Sequence, residues 1–169
     1  FSFKKLAYEK KIDVSKINQF FGSKKQLLKE FSKMIDLRVE KEFDFKSLED
    51  SSTKDNLFEL IMLRLDHLQP YKNSLKKIIV SISKSPSMLK SVSENISDSL
   101  DFYLELTKAY DSSCFDLFKK KTILLIYSYI FKVWLDDNSE ELSRTMSELD
   151  KVLSLSEKVA NRIKNFALF

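Results

Sequence analysis

The feature that most limits this chain is its lack of turn-making residues. Its 169 residues hold one glycine, Gly22, and two prolines. Strand-rich folds need many tight turns, and tight turns need Gly and Pro at backbone angles other residues avoid. A chain this poor in both must run mostly as long helices. Its apolar share of 43% against 32% charged residues is that of a globular protein with a buried core. An all-α fold is predicted.

Charge divides the chain unevenly. Residues 1–42 carry 11 Lys/Arg against 6 Asp/Glu, a surplus of five, and the other 127 carry 18 against 19. A basic head on a near-neutral body suits a nucleic-acid-binding module joined to another domain, although lysine-rich solvated faces would give the same count. The most apolar run, residues 122–135, interrupted by Lys132, is too short for a membrane span and suits a buried helix. One cysteine, Cys114, excludes an intramolecular disulfide. With no visible signal peptide, a reducing, cytoplasmic setting is expected.

Apolar spacing and capping residues place the helices. Residues 2–11 read as a short helix with Phe3, Leu6 and Ala7 on one face. Asp13 caps a second, from Val14 to about Phe20, and Gly22 suits its stop as a left-handed residue. Ser23 opens a third helix running to about residue 40. Residues 43–53 form a boundary segment, which gives a head over 1–42 and a body over 43–169. Lys54 onward is amphipathic until Pro70, and a short helix covers about 71–83. Ser85-Pro86 then starts a helix to about Tyr110. "DSSC" (111–114) is a loop, and residues 116–135 form a helix apolar nearly all round, buried on most sides by its own domain or by a second subunit. Asn138 with Glu141 resembles a capping box opening the last helix, striped by Leu142, Met146, Leu149, Val152, Leu153, Val159, Ile163 and Phe166.

Catalytic constellations are hard to assemble from this set. The single histidine, His67, sits mid-helix beside Asp66 with no second histidine or cysteine at metal-ligand spacing. Cys114 lies near Asp116 and Lys119 but has no adjacent base. One glycine cannot form a phosphate-cradling loop. The reading is not an enzyme, with no cofactor.

The stretches "LAYEKKID" and "VSKINQFFGSKKQLL" resemble the DNA-binding signature of the TetR family of bacterial transcriptional repressors. Leu6-Ala7, Ile12, Ile17, Phe20-Phe21, Ser23-Lys24 and Leu27-Leu28 match that pattern position by position. The chain departs at Lys10-Lys11, where the family has Ala-Gly in its turn, and at Asn18, where it has Tyr. The family's first helix would precede Phe1. "FELIMLRLDHLQPYKNSL" (58–75) and "VWLDDNSEELSRTMSELDKVL" (133–153) look like the body of an α-proteobacterial subgroup.

The resemblance implies a three-helix helix-turn-helix head, its first helix missing here, on a helical bundle that dimerises and often encloses a ligand. It implies a homodimer through residues 116–165 that binds double-stranded operator DNA. Carried over, Ser15, Lys16, Asn18 and Gln19 face the DNA from the recognition helix, and Lys24 and Lys25 lie at the start of the next helix. Phe20, Phe21 and Leu27 are expected in the head's core. Met62, Leu104, Tyr127 and Trp134 are the candidate pocket residues for a small apolar ligand or lipid. A second family shares the layout: the ubiquinone-biosynthesis accessory proteins, which bind lipid. "DSSCFDLFKKKTILLIYSYIFKVWLDDNS" (111–139) echoes their late signature without its glycine. That alternative makes the head a degenerate, non-DNA-binding one and the basic amphipathic end, residues 159–169, a membrane contact. An ordinary dimer-packing helix would have the same pattern.

Overall fold

The computed structural model describes residues 3–113 and 115–166, apart from the side chains of Phe3, Leu6, Ser47, Lys164, Asn165 and Phe166. The expectations for Phe3, Leu6, Cys114 and Phe166 therefore lie outside the described residues. The chain is all-helical: α1 (Phe3–Lys10), α2 (Val14–Phe20), α3 (Lys24–Glu42), α4 (Thr53–Leu68), α5 (Lys72–Ile82), α6 (Pro86–Leu106), α7 (Asp116–Asp136) and α8 (Ser143–Phe166), with 3-10 turns at Ser47–Glu49, Gln69–Tyr71 and Glu140–Leu142.

Local chemistry explains most of the boundaries. Asp13 accepts from the Ser15 N–H at 2.9 Å and starts α2, and Ser23 accepts from the Gln26 N–H at 3.2 Å and starts α3. Helix α1 ends in a Schellman motif. The Ile12 N–H donates to the Ala7 carbonyl at 3.0 Å and the Lys11 N–H to that of Tyr8 at 3.3 Å, with Lys11 left-handed at φ 51°. Helix α6 closes the same way, with Ala109 bonded to Leu104, Lys108 to Glu105, and Lys108 at φ 53°. A chain with one glycine thus uses lysine at the two left-handed ends. The Pro70 break is present as expected, with a 3-10 turn between α4 and α5.

Several expectations need correction. Gly22 is not left-handed: α2 ends at Phe21 in extended conformation (φ −133°), and Gly22 instead donates its N–H to Gln26 Oε1 at 2.9 Å. Helix α6 stops at Leu106 rather than near Tyr110, because Thr107 turns its hydroxyl back to the Tyr103 carbonyl and Lys108 goes left-handed. Ser85 precedes Pro86 as the cap residue but makes no side-chain cap bond. The last helix does not start from an Asn138–Glu141 box, since Glu141 lies at φ 55°. Buried Asp137 does that work by accepting from the N–H and hydroxyl of both Ser139 and Thr145. Burial alone would raise the Asp137 carboxyl, but the two hydroxyls and two N–H groups outweigh it and hold it well below the usual carboxylate range.

The core lies in the body and takes in the far end of α3. Ile35, Val39 and Phe43 pack with Leu60, Ile61 and Leu65 of α4, Leu100 and Tyr103 of α6, Ile130 and Trp134 of α7, and Leu149 of α8. Trp134 is fully buried, donates Nε1–H to Gln69 Oε1 at 3.0 Å and lies beneath the Lys72 ammonium, 5.2 Å from the ring centroid. Helix α7 is not buried on all sides: Phe118, Leu125 and Tyr129 are exposed, as are Leu155, Val159 and Ile163 of α8. No helix among the described residues is long and apolar enough to cross a membrane.

Candidate nucleic-acid interface

The head presents α2 as a short exposed helix. Ile17 is its one buried residue, while Ser15, Lys16, Asn18 and Gln19 are all exposed. With about 100° per residue, Ser15 and Gln19 point directly away from Ile17, and Lys16 and Asn18 flank them on opposite sides. The four residues predicted for this face therefore share it. None is acidic, and the nearest carboxylate, Asp13, is occupied at the helix cap, where the Ser15 N–H and hydroxyl hold it below its ordinary range.

The lysines extend this surface. Lys10 and Lys11 are exposed at the turn before α2, and Lys24 and Lys25 are exposed in the first turn of α3. Lys25 sits differently from Lys24, because together with Gln26 and Lys29 it lines a cleft between α3 and α6 opposite Ser91, Glu94, Asn95 and Asp98. The expected head-core aromatics diverge. Phe21 and Leu27 are half-buried, but Phe20 is 71% exposed.

Arranged in this way, the helix order places α2 between two turns and carries it on a long α3 that is rooted in the body core. Among solved structures, one that shares this arrangement is a TetR transcriptional regulator from Nitrosomonas europaea ATCC 19718. It matches with a TM-score of 0.74 over 91% of this chain and 84% of its own, at 20% identity. The chain has the TetR fold. No family model matches the sequence, and no curated protein does either.

The left-handed Lys11 occupies the turn between α1 and α2. Of the pocket candidates, Met62, Leu104, Tyr127 and Trp134 all fall in one core cluster. Met62 also lines a surface groove of about 260 Å³ with Phe58, Leu63 and Met146. His67 Nε2 of α4 lies 3.1 Å from Glu42 Oε2 at the end of α3.

Sequence reasoning passed over Arg64. Its side chain is 3% exposed, and it bonds to the Asp36 carboxylate, to Ser32 Oγ at 2.9 Å and to the hydroxyls of Tyr127 at 3.2 Å and Tyr103 at 3.5 Å. A signal was present in the sequence. Arg64 falls on the same stripe as Leu57, Leu60, Ile61 and Leu68, and a charge on an apolar stripe needs a buried partner.

Proposed function

We propose that this chain is a DNA-binding transcriptional regulator of the TetR type, acting as a homodimer under the control of a small ligand. The observation that carries the reading is the outward face of α2, where Ser15, Lys16, Asn18 and Gln19 stand together and without acid on a head joined to the TetR fold. In the dimer, two such helices about one DNA turn apart enter successive major grooves. Lys16 and Lys24 neutralise phosphates, and Asn18 and Gln19 reach base edges or phosphates. The head is residues 1–42 and the body 43–169, and the far end of α3, the last helix of the head, packs into the body core through Ile35 and Val39.

Dimerisation through residues 116–165 draws support from the exposed stripe of Phe118, Leu125 and Tyr129 on α7 beside Leu155 and Val159 on α8. An apolar ligand would lodge among Met62, Leu104, Tyr127 and Trp134 and tilt α3, changing the separation of the two recognition helices.

The test is retardation of the DNA upstream of the chain's own gene, measured across salt concentrations. Lys16→Ala and Lys24→Ala should each weaken binding and reduce the salt slope by about one. Unchanged affinity in both variants removes these roles. The lipid-binding reading, with a head that does not bind DNA, draws on the same exposed Leu155, Val159 and Ile163, which alternate with exposed Lys158 and Arg162. It requires lipid to co-purify with the protein and the protein to bind anionic vesicles. A monomer produced by Leu125→Glu with Leu155→Glu would assign the stripe to the dimer instead.

A further inference from the structure

Helices α3 and α6 meet along a polar seam that is closed at one end and open at the other. On α3 the seam carries Lys25, Lys29, Ser32 and Asp36, spaced 4, 3 and 4 apart and so aligned on one face. At the body end Ser99 of α6 donates to Asp36 Oδ2 at 2.7 Å, and Arg64 of α4 holds both Asp36 and Ser32. At the head end the two helices part around a cleft of about 440 Å³, with Lys25 and Lys29 on one wall and Glu94 and Asp98 on the other. No ion pair bridges this gap among the described residues: Glu94 pairs within α6 to Lys90, at 3.8 Å.

The closed end is directional in a way the surrounding apolar packing is not. Burial by itself disfavours the Arg64 charge, and the oxygens of Tyr127 and Tyr103 more than offset that, so the guanidinium is held above its ordinary range. A buried guanidinium satisfies its donors only where its planar fork meets every acceptor at once, so a small rotation of α3 breaks its bonds to Asp36 and Ser32 together. Apolar contacts slide more freely because they have no preferred direction. The same fork reaches Tyr127 on α7, the helix assigned to the dimer interface.

We infer that Arg64 is the positioning residue of the DNA-binding head, fixing through Asp36 and Ser32 the angle at which α3 leaves the body. Through Tyr127 it makes that angle depend on α7, and so ties the separation of the two heads to the dimer. The inference rests on the DNA-binding reading for its consequence, though not for the geometry. With the tie cut, the attraction of Lys25 and Lys29 for Glu94 and Asp98 draws α3 into the cleft and the head toward α6.

The test is made without DNA, on the whole dimer with Cys114→Ser. Spin labels at Lys10→Cys and Ser87→Cys, in labelled chains diluted with unlabelled ones, report the head-to-α6 distance by pulsed electron resonance. Arg64→Met and Asp36→Asn should shift the distribution to shorter distances and at least double its width, with circular dichroism and sedimentation unchanged. Arg64→Lys should fail to restore it, because one ammonium cannot serve Asp36, Ser32 and Tyr127 together. If Arg64→Met does not fold, Tyr127→Phe combined with Ser32→Ala removes two of the bonds with little loss of packing and should show the same shift. An unmoved distribution in the folded variants, or full rescue by Arg64→Lys, overturns the inference. Operator affinity, measured separately, should fall tenfold or more in the shifted variants. A shifted distance in a protein that binds no operator even as wild type would leave the positioning role standing and remove the DNA reading instead.

Discussion

The head and the body of this chain are built on opposite balances of packing and surface. In α1, α2 and the turn between them the buried side chains among the described residues are Ala7 and Ile17, while Tyr8, Ile12 and Phe20 are exposed. In the body one continuous cluster takes in residues from α3, α4, α6, α7 and α8, with Trp134, Tyr103 and Tyr127 among its largest members. Helix α1 makes its main contacts with α2, whereas α3 contacts both α4 and α6 extensively. The head therefore behaves as a light attachment whose polar residues face outward, and the body as the part that supplies stability. Such an attachment is set by the element that carries it, which is why the first turns of α3 and the tie beneath them matter more than the packing within the head.

The sharpest way to break this contrast is to cut matching side chains from each region. Trp134→Ala should cost about 3–5 kcal/mol in urea unfolding followed by far-ultraviolet dichroism. Ile17→Ala should cost about 2 kcal/mol locally, seen as faster amide exchange in α1 and α2, with the body's midpoint unmoved. An equal fall in that midpoint would show that head and body unfold as one unit.

Acid should act next, and on the body first. The Asp137 carboxyl is lower in the folded chain than in the unfolded one, so its contribution is fully present above the ordinary carboxylate range. It is lost as the pH falls below about 4 toward the folded value. Thermal melts between pH 7 and pH 2 should show Asp137→Asn less acid-sensitive than the parent, with lower stability at neutral pH.

Smaller effects come from the two left-handed lysines. Lys11→Gly and Lys108→Gly each relieve a backbone cost and should add up to about 1 kcal/mol. The first gain should appear only in head exchange rates and the second in global unfolding. Phe20→Ala should stay within about 0.5 kcal/mol, because the ring is mostly in solvent. A larger loss would mean that the Phe20 ring packs against more than Phe21, whose ring centroid lies 6.5 Å away.

How legible each part was in the sequence follows the range of the interaction behind it. The caps by Asp13 and Ser23 and the break at Pro70 act within a few residues and could be read directly. The strained turn at Lys11 was legible through the resemblance, which marks a glycine position there. Asp137 was not, because its second partner, Thr145, is eight residues on and comes within reach only after a left-handed kink at Glu141. Arg64 gathers partners 28, 39 and 63 residues away, and no local pattern states which acid or hydroxyls it will meet. The exposure of Phe20 was misjudged for a related reason: an aromatic pair marks an apolar site, but which ring is covered depends on the packing around α2. The outward face of α2 was readable because helix periodicity alone fixes it once Ile17 is inward.

Gly22 has a practical consequence of another kind. Because it is the sole glycine, protein made by cell-free synthesis with nitrogen-15 glycine, where glycine is not converted to serine, carries a single labelled backbone amide, just beyond the end of α2. That amide is bonded to the Gln26 side chain, so its resonance registers the joint between α2 and α3 and no other place in the chain. Each question about the head raised above, from DNA contact to the swing of α3, thus has a one-peak spectrum in which to be followed.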